Sequence, residues 1–342
     1  MAARAARGEF EEPAGALMPH PLLDRLVVDS DETIEYITDY RLADFWLLDQ
    51  HRLKNDEALI PGTGYLEIAK AALDKGSPAV PAEIKNLLFM QPLDVKADET
   101  RRVKVRLEKD DEAYAFTVSS QSSTARNREA WTEHVQGTAS YITAEPPQAP
   151  SLQAVLARCQ EREVTFGLKE QETKQEAYLN FGPRWKNLRR MNFGKDEAVA
   201  FLALPPEFVA DTEAYQVHPA LMDMATSFAL PLLDGYETSE AFYVPLMYRQ
   251  VQFYAPLPDK IISHARLHPE SSPDMPVFDV TIYDEGERPL LDIHGFTLKK
   301  VDPAALLKPA VKTTARMTVL CWPSRSPMAF CRRKGPRRST AF

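Results

Sequence analysis

Cysteine is nearly missing from this chain: Cys159, Cys321 and Cys331 are the only three in 342 residues, and no two form a C-x-x-C pair. An odd, sparse set excludes a disulfide framework and a cysteine-built zinc site, and it fits a reducing cytoplasm. No apolar run approaches the ~20 residues that span a bilayer. The stretch from Met1 to Gly15 lacks the apolar core of a secretory signal, so residues 1–17 read as a disordered or appended leader. No glycine-rich dinucleotide or phosphate loop is present, no G-x-S-x-G elbow, and no His/Cys/Asp set at metal-ligand spacing. Aromatic and basic residues do not interleave in the body, which speaks against nucleic acid as a partner.

Basic charge is scarce except at one end. The formal net charge is −8, from 41 Lys+Arg and 49 Asp+Glu. Residues 311–342 hold eight of the basic residues and no acid, leaving 33 against 49, or −16, for the rest. The tail mixes Pro, Ser, Trp322 and two cysteines with no hydrophobic period. Residues 303–342 therefore read as an unstructured or non-native extension.

What is there is a pair of apolar helical stretches, each opened by a proline. Pro61 and Pro219 are 158 residues apart (219 − 61), and Gly137 and Gly295, each in a late strand, keep the same offset (295 − 137). Asn86–Phe89 falls on Val244–Met247 at that offset too. Three matches in register favour an internal duplication. Pro146, Pro147 and Pro150 mark a linker, which divides the chain into 18–145, a connection over 146–154, and 155–302.

Each half reads as one helix followed by several strands. Tyr65, Ile68, Ala69, Ala72 and Leu73 share one helical face, and Gly76-Ser77-Pro78 stops that helix. Leu221, Met222, Ala225, Phe228, Ala229 and Leu232 share a face in the second, which Pro231 ends or kinks. Strands are expected at Val103–Leu107, Tyr114–Val118 and His134–Ile142, then at Val251–Tyr254, Ile261–Leu267, Val277–Tyr283 and Leu290–Val301. Asp284-Glu285-Gly286 makes a hairpin turn between the last two. A helix wrapped by an antiparallel sheet, present twice, is an α+β double hotdog. Ala69, Ala72, Ala225 and Ala229 would let strands approach the helices closely.

Five ordered motifs over about residues 20–302 then resemble the dehydratase domains of modular polyketide synthases. They are His20-Pro21-Leu22-Leu23, His51 with Pro61-Gly62-Thr63-Gly64-Tyr65-Leu66-Glu67, Phe181-Gly182-Pro183 with Trp185, His218-Pro219 with Asp223, and Tyr243-Val244-Pro245. Three departures stand out. Asn55 replaces a glycine and the loop from His51 to Pro61 is one residue longer. Phe181 replaces a tyrosine. Ser227 replaces a Gln or His four residues after Asp223.

The resemblance implies a lyase that removes water from a β-hydroxyacyl thioester held on the phosphopantetheine of an acyl carrier protein, giving the trans-α,β-unsaturated thioester by syn elimination. It implies no bound cofactor, neighbouring synthase domains as partners, and a homodimer. Elimination needs a base for the α-proton and an acid for the leaving hydroxyl. His51, titrating near 6.5 when unperturbed, suits the first role. Asp223 suits the second only if its apolar neighbours raise it from ~3.9. Pro61, Gly62, Thr63 and Gly64 open the first helix, where free backbone N–H groups could polarise the thioester carbonyl, or where Thr63 simply caps a turn. Phe181, Gly182, Pro183, Ser227 and Tyr243 complete the expected substrate-binding set; Ser227 could reach the Asp223 carboxyl or merely pack, and His218 reads as a cap. Rival readings are a double-bond isomerase or a dehydratase-cyclase on the same scaffold, and a non-catalytic module. Truncation after Pro303 is expected to leave melting temperature and turnover nearly unchanged; a large drop in either would make the tail part of the fold.

Overall fold

The computed structural model describes residues 10–75, 81–122, 130–143, 145–148, 150–167 and 174–302. Fourteen strands form one continuous antiparallel sheet. From the first half come, in spatial order, Ala16–His20, Leu23–Asp29, Thr33–Tyr40, Arg101–Asp110, Ala113–Ser122, Thr132–Tyr141 and Ala82–Phe89. The second half continues with Phe242–Phe253, Pro289–Val301, Val277–Tyr283, Lys260–Leu267, Glu197–Ala203, Leu188–Phe193 and Arg162–Thr165. At the seam Met247 pairs with Leu88 and Val251 with Ile84. These are the strands that the repeat offset relates, so the duplication closes on itself around a pseudo-two-fold. The double hotdog is the observed fold.

The helix α1 (Gly62–Asp74) runs beneath the first half, and α2 (Pro219–Ser227) beneath the second. Good helix formers fill α1, and Lys75 ends it in the left-handed region (φ 51°). Gly76-Ser77-Pro78 lies outside the described residues. Every residue of α1 from Thr63 to Asp74 is buried, on all faces rather than one, as a helix enclosed by sheet and by the other half must be. Ala69, Ala72, Ala225 and Ala229 are fully buried. The strands do come close: Tyr36 donates to the Ala72 carbonyl at 2.9 Å, and Ser263 to the Ala225 carbonyl at 2.7 Å. Pro219 occupies the first position of α2, where its missing N–H costs nothing. That helix stops at Ser227, earlier than expected, and a 3-10 turn over Leu230–Leu232 accommodates Pro231.

Strands precede each helix as well as follow it, contrary to the expected order. The leader is also shorter. Ala16–His20 is a strand, Arg102 lies 4.4 Å over the Phe10 ring, and Arg25 pairs with Glu12 at 2.6 Å. Residues 1–9 lie outside the described residues, as do 303–342 with Cys321 and Cys331. Within the expected linker, Ser151 caps a helix over Leu152–Arg158 by accepting from the Ala154 N–H at 3.3 Å. The turn after Tyr283 forms as read, with Asp284 N–H on the Arg288 carbonyl. Among the described residues no helix is long and apolar enough to cross a membrane.

Burying α1 all round buries its charges, which then need partners. Glu67 is 0 % exposed and receives three donors: His20 Nε2 at 2.9 Å, Gln216 N–H at 3.0 Å and Val217 N–H at 2.5 Å. His20 Nδ1 accepts from the Leu22 N–H, which places the ring proton on Nε2. One turn on, Lys70 pairs with Asp74, and Asp74 also receives the Gln216 side chain at 2.8 Å. The segment leading into α2 is thereby fixed to α1. In Glu67→Gln the amide nitrogen would face an N–H whichever way it turned. A loss of about 2 kcal/mol is expected, the cost of leaving a buried donor unpaired. Urea unfolding should show it as a lower midpoint at unchanged slope.

Candidate active site

One catalytic candidate sits on a short strand and the other on α2. His51 begins a strand, His51–Leu53, in a second, four-stranded sheet ordered Leu179–Phe181, His51–Leu53, Ala58–Leu59, Asp94–Val95. Phe181 pairs directly with His51 across the two halves. The longer loop after His51 closes as a turn, with Asp56 left-handed (φ 67°) and Asn55 accepting from the Glu57 N–H. Its end returns Leu59, whose carbonyl accepts from His51 Nδ1 at 2.9 Å. The proton is therefore on Nδ1, and Nε2 carries the free lone pair.

Asp223 lies on the second turn of α2, partly exposed but closely surrounded. Its Oδ2 accepts from the Trp185 indole N–H at 2.8 Å. The same indole stacks on the His51 ring, with centroids 5.5 Å apart and planes at 30°. Phe181 lies parallel to Trp185 at 5.8 Å and 5.7 Å from His51. One tryptophan thus touches both the base and the acid. It stands at the end of a 3-10 turn begun by Pro183. Gly182 lets that turn come in against Gln50: its N–H donates to the Gln50 carbonyl at 2.8 Å, and a Cβ here would lie 2.3 Å from Gln50 Cγ.

Burial lowers the pKa of His51, opposed by the Asp223 charge and the Leu59 carbonyl. Burial raises that of Asp223, opposed by His51 and by the Trp185 hydrogen bond. Each group works against the other's desolvation, and burial prevails in both. Both shifts run toward a neutral imidazole and a neutral carboxylic acid, the direction that general base–acid chemistry requires.

The other sequence-predicted residues divide. Pro61 is extended and precedes α1 without a side-chain cap, and Gly64 N–H returns to the Pro61 carbonyl at 2.9 Å. Thr63 does not cap the turn. Its hydroxyl donates to the Pro219 carbonyl at 2.9 Å, joining the starts of the two helices. Gly62 is packed against Pro245 and Phe89, where a Cβ would come within 3.0 and 3.2 Å. Ser227 does not reach the Asp223 carboxyl; its hydroxyl donates to the Asp223 backbone carbonyl at 2.8 Å. Tyr243 spends its hydroxyl on the Pro273 carbonyl at 3.0 Å and rests against Tyr236. His218 is a cap: Nδ1 accepts from the Leu221 N–H at 3.3 Å, and Trp46 stacks on its ring.

Sequence reasoning missed how Trp185 serves both groups, although it stood in a quoted motif. It also missed the layer behind. Arg184 binds Asp211 at 2.6 Å and lies 4.4 Å over the Trp46 ring, and Asp211 faces His218 at 3.4 Å. No spacing in the chain signals that layer.

Residues 20–121 match the family model described as the polyketide synthase dehydratase domain, and residues 147–308 that of the polyketide synthase dehydratase N-terminal domain. Polyketide synthase PksM of Bacillus subtilis (strain 168) is 24 % identical over 313 residues, covering 87 % of this chain and 7 % of its own length. The chain therefore spans a small part of such relatives. A trans-AT polyketide synthase dehydratase domain from Brevibacillus brevis superposes with a TM-score of 0.72 at 22 % identity, covering 84 % of this chain and 100 % of that one. The dehydratase domain from the CurJ module of curacin polyketide synthase gives 0.73 at 21 % identity, over 85 % and 99 %. A CurJ dehydratase variant with a histidine replaced by phenylalanine is described as inactive. Two dehydratase models that between them span both halves, on a double hotdog with a His–Asp pair, place this chain in the dehydratase domain family of polyketide synthases.

Proposed function

We propose that this domain dehydrates a β-hydroxyacyl thioester carried on the phosphopantetheine of an acyl carrier protein, with His51 as base and Asp223 as acid. The observation that carries the reading is one indole that donates to the Asp223 carboxyl and stacks on the His51 ring. His51 Nε2 takes the α-proton. The Cα–H electron pair forms the double bond as the β-carbon–oxygen bond breaks, and Asp223 gives its proton to the departing hydroxyl, which leaves as water. Transfer of the acquired proton from His51 back to Asp223 resets the pair. Charge growing on the thioester oxygen would be met by N–H groups of the first turn of α1, where Gly62 and Thr63 lie.

The domain binds no cofactor in this reading, since proton transfer needs none. It acts beside neighbouring synthase domains in a reducing cytoplasm, as a homodimer. The inactive histidine variant of the CurJ dehydratase parallels the role given to His51. Retention of Asp223 favours dehydration over an isomerisation in which a histidine alone shuttles the proton.

His51→Ala and Asp223→Asn are each expected to lower turnover by on the order of 10²–10⁴-fold without loss of folding, and the double variant to be little worse. Mass spectrometry of carrier-bound substrate reads this as loss or retention of 18 Da. Near-wild-type dehydration by folded Asp223→Asn would remove Asp223 from its role. Ser227→Ala should cost less than about threefold, because only a hydrogen bond to backbone is lost.

The pH profile follows from the two directions. The active form needs His51 deprotonated and Asp223 protonated. Activity should rise through an acid limb below the ordinary histidine value of 6.5 and fall through an alkaline limb above the ordinary aspartate value of 3.8. Both limbs belong to the pair rather than to either residue. The residual activity of Asp223→Asn should lack the alkaline limb; a profile identical to wild type would contradict the assignment.

A further inference from the structure

Trp185 meets both reacting side chains, and it meets them with different parts of its ring. Its N–H donates to Asp223 Oδ2 at 2.8 Å, while its face stacks on the His51 ring at 5.5 Å and 30°. An aromatic face is electron-rich and its rim is electron-poor, above all at an indole N–H. Elimination puts charge on a pair that burial keeps toward neutrality: His51 gains a proton and Asp223 loses one. The cation forms against the negative face and the anion at the positive edge. Both contacts strengthen as the charges appear. A hydrogen bond to a carboxylate is roughly twice as strong as one between neutral groups, and a desolvated cation is drawn to an aromatic face.

The indole is locked in place. It is buried, with Phe181 parallel to it at 5.8 Å and Trp46 edge-on at 5.9 Å. Asn187, fully buried, donates to the Arg184 and Ala220 carbonyls, both at 3.0 Å, and so ties the turn carrying Trp185 to the start of α2. Phe181 ties it to His51 by strand pairing. Among the described residues Trp185 is the one side chain that donates to the Asp223 carboxyl; Ser227, on the same helical face, bonds backbone instead. An indole N–H can only donate. In a protonated carboxyl the carbonyl oxygen is the better acceptor, so Oδ2 takes that part and the proton resides on Oδ1.

We propose that Trp185 is built for the charges that elimination creates: its N–H holds Asp223 by Oδ2, leaving Oδ1 to give its proton to the departing hydroxyl, and its face receives the His51 imidazolium. This rests on the dehydratase reading. Trp185 acts through the pair, as a positioning residue.

Two tryptophan analogues at position 185 separate edge from face. Benzothienylalanine keeps the fused rings and has sulfur in place of the N–H. Tetrafluorotryptophan keeps the N–H and drains the face of electrons. His51 is the charged group that acts on Asp223, and Asp223 the one that acts on His51. Arg184 is paired with Asp211, and burial keeps the Tyr248 phenol protonated. Losing the N–H removes a donor that favours the carboxylate, so Asp223 holds its proton to higher pH. With 3-hydroxybutyryl-pantetheine, benzothienylalanine should lower turnover about tenfold at unchanged KM and move the alkaline limb up by about one pH unit. Tetrafluorotryptophan should move the acid limb down, because the face no longer favours the imidazolium. In the substrate-free protein, the infrared carbonyl stretch of protonated Asp223, taken as the difference from Asp223→Asn, should rise in frequency with benzothienylalanine. Lower turnover with both limbs and the stretch unmoved would make Trp185 merely structural and overturn the proposal, as would unchanged turnover. If the unaltered domain releases no water from any 3-hydroxyacyl thioester while the stretch shifts, the dehydratase reading falls and the hold of Trp185 on Asp223 stands.

Discussion

Two buried helices that begin at the same place set the terms for the rest of the molecule. The Thr63 hydroxyl reaches the Pro219 carbonyl there, and Glu67 gathers the N–H groups of Gln216 and Val217 just before α2 begins. A helix buried on every face cannot leave such groups to water, so each polar contact is also a positional constraint. His51 and Asp223 come from different halves, the one from a three-residue strand and the other from α2. Their relation is fixed by this junction and by the indole that both touch.

The same junction explains the electrostatics. A solvated histidine and aspartate would form an ion pair near neutral pH, with the proton on the wrong partner for elimination. Here desolvation acts against both charges at once. Trp185 offers the carboxyl a single neutral donor rather than a cation. The Leu59 carbonyl fixes the imidazole tautomer without adding charge nearby. Arg184 is kept for Asp211 and the ring of Trp46, one layer behind the acid.

How much of this was legible depended on the range of the contacts. The helices, the late strands and the pseudo-repeat are local or periodic, and Pro61, Pro219, Gly137 and Gly295 marked them correctly. His51 and Asp223 were found because flanking motifs narrow the choice. The opening strands were not found: Thr33–Tyr40 buries Ile34, Tyr36, Ile37 and Tyr40, a pattern that does not alternate strictly. The open readings of Ser227 and Thr63 did not include the backbone carbonyls to which their hydroxyls donate, because a side chain's reach says nothing about which carbonyl is nearer.

The continuous sheet has a consequence for how the chain is made. Ala82–Phe89 pairs on one side within its own half, while its other edge is completed only by Phe242–Phe253, roughly 150 residues later. At about 5–20 residues per second of synthesis, that edge stays open for roughly 8–30 s. During that interval a nascent first hotdog presents unpaired backbone and the apolar side of α1, a surface that another nascent chain could pair with. The covalent linkage of the two halves is thus also a safeguard: it delivers the correct strand to that edge at a local concentration no neighbouring polypeptide can match.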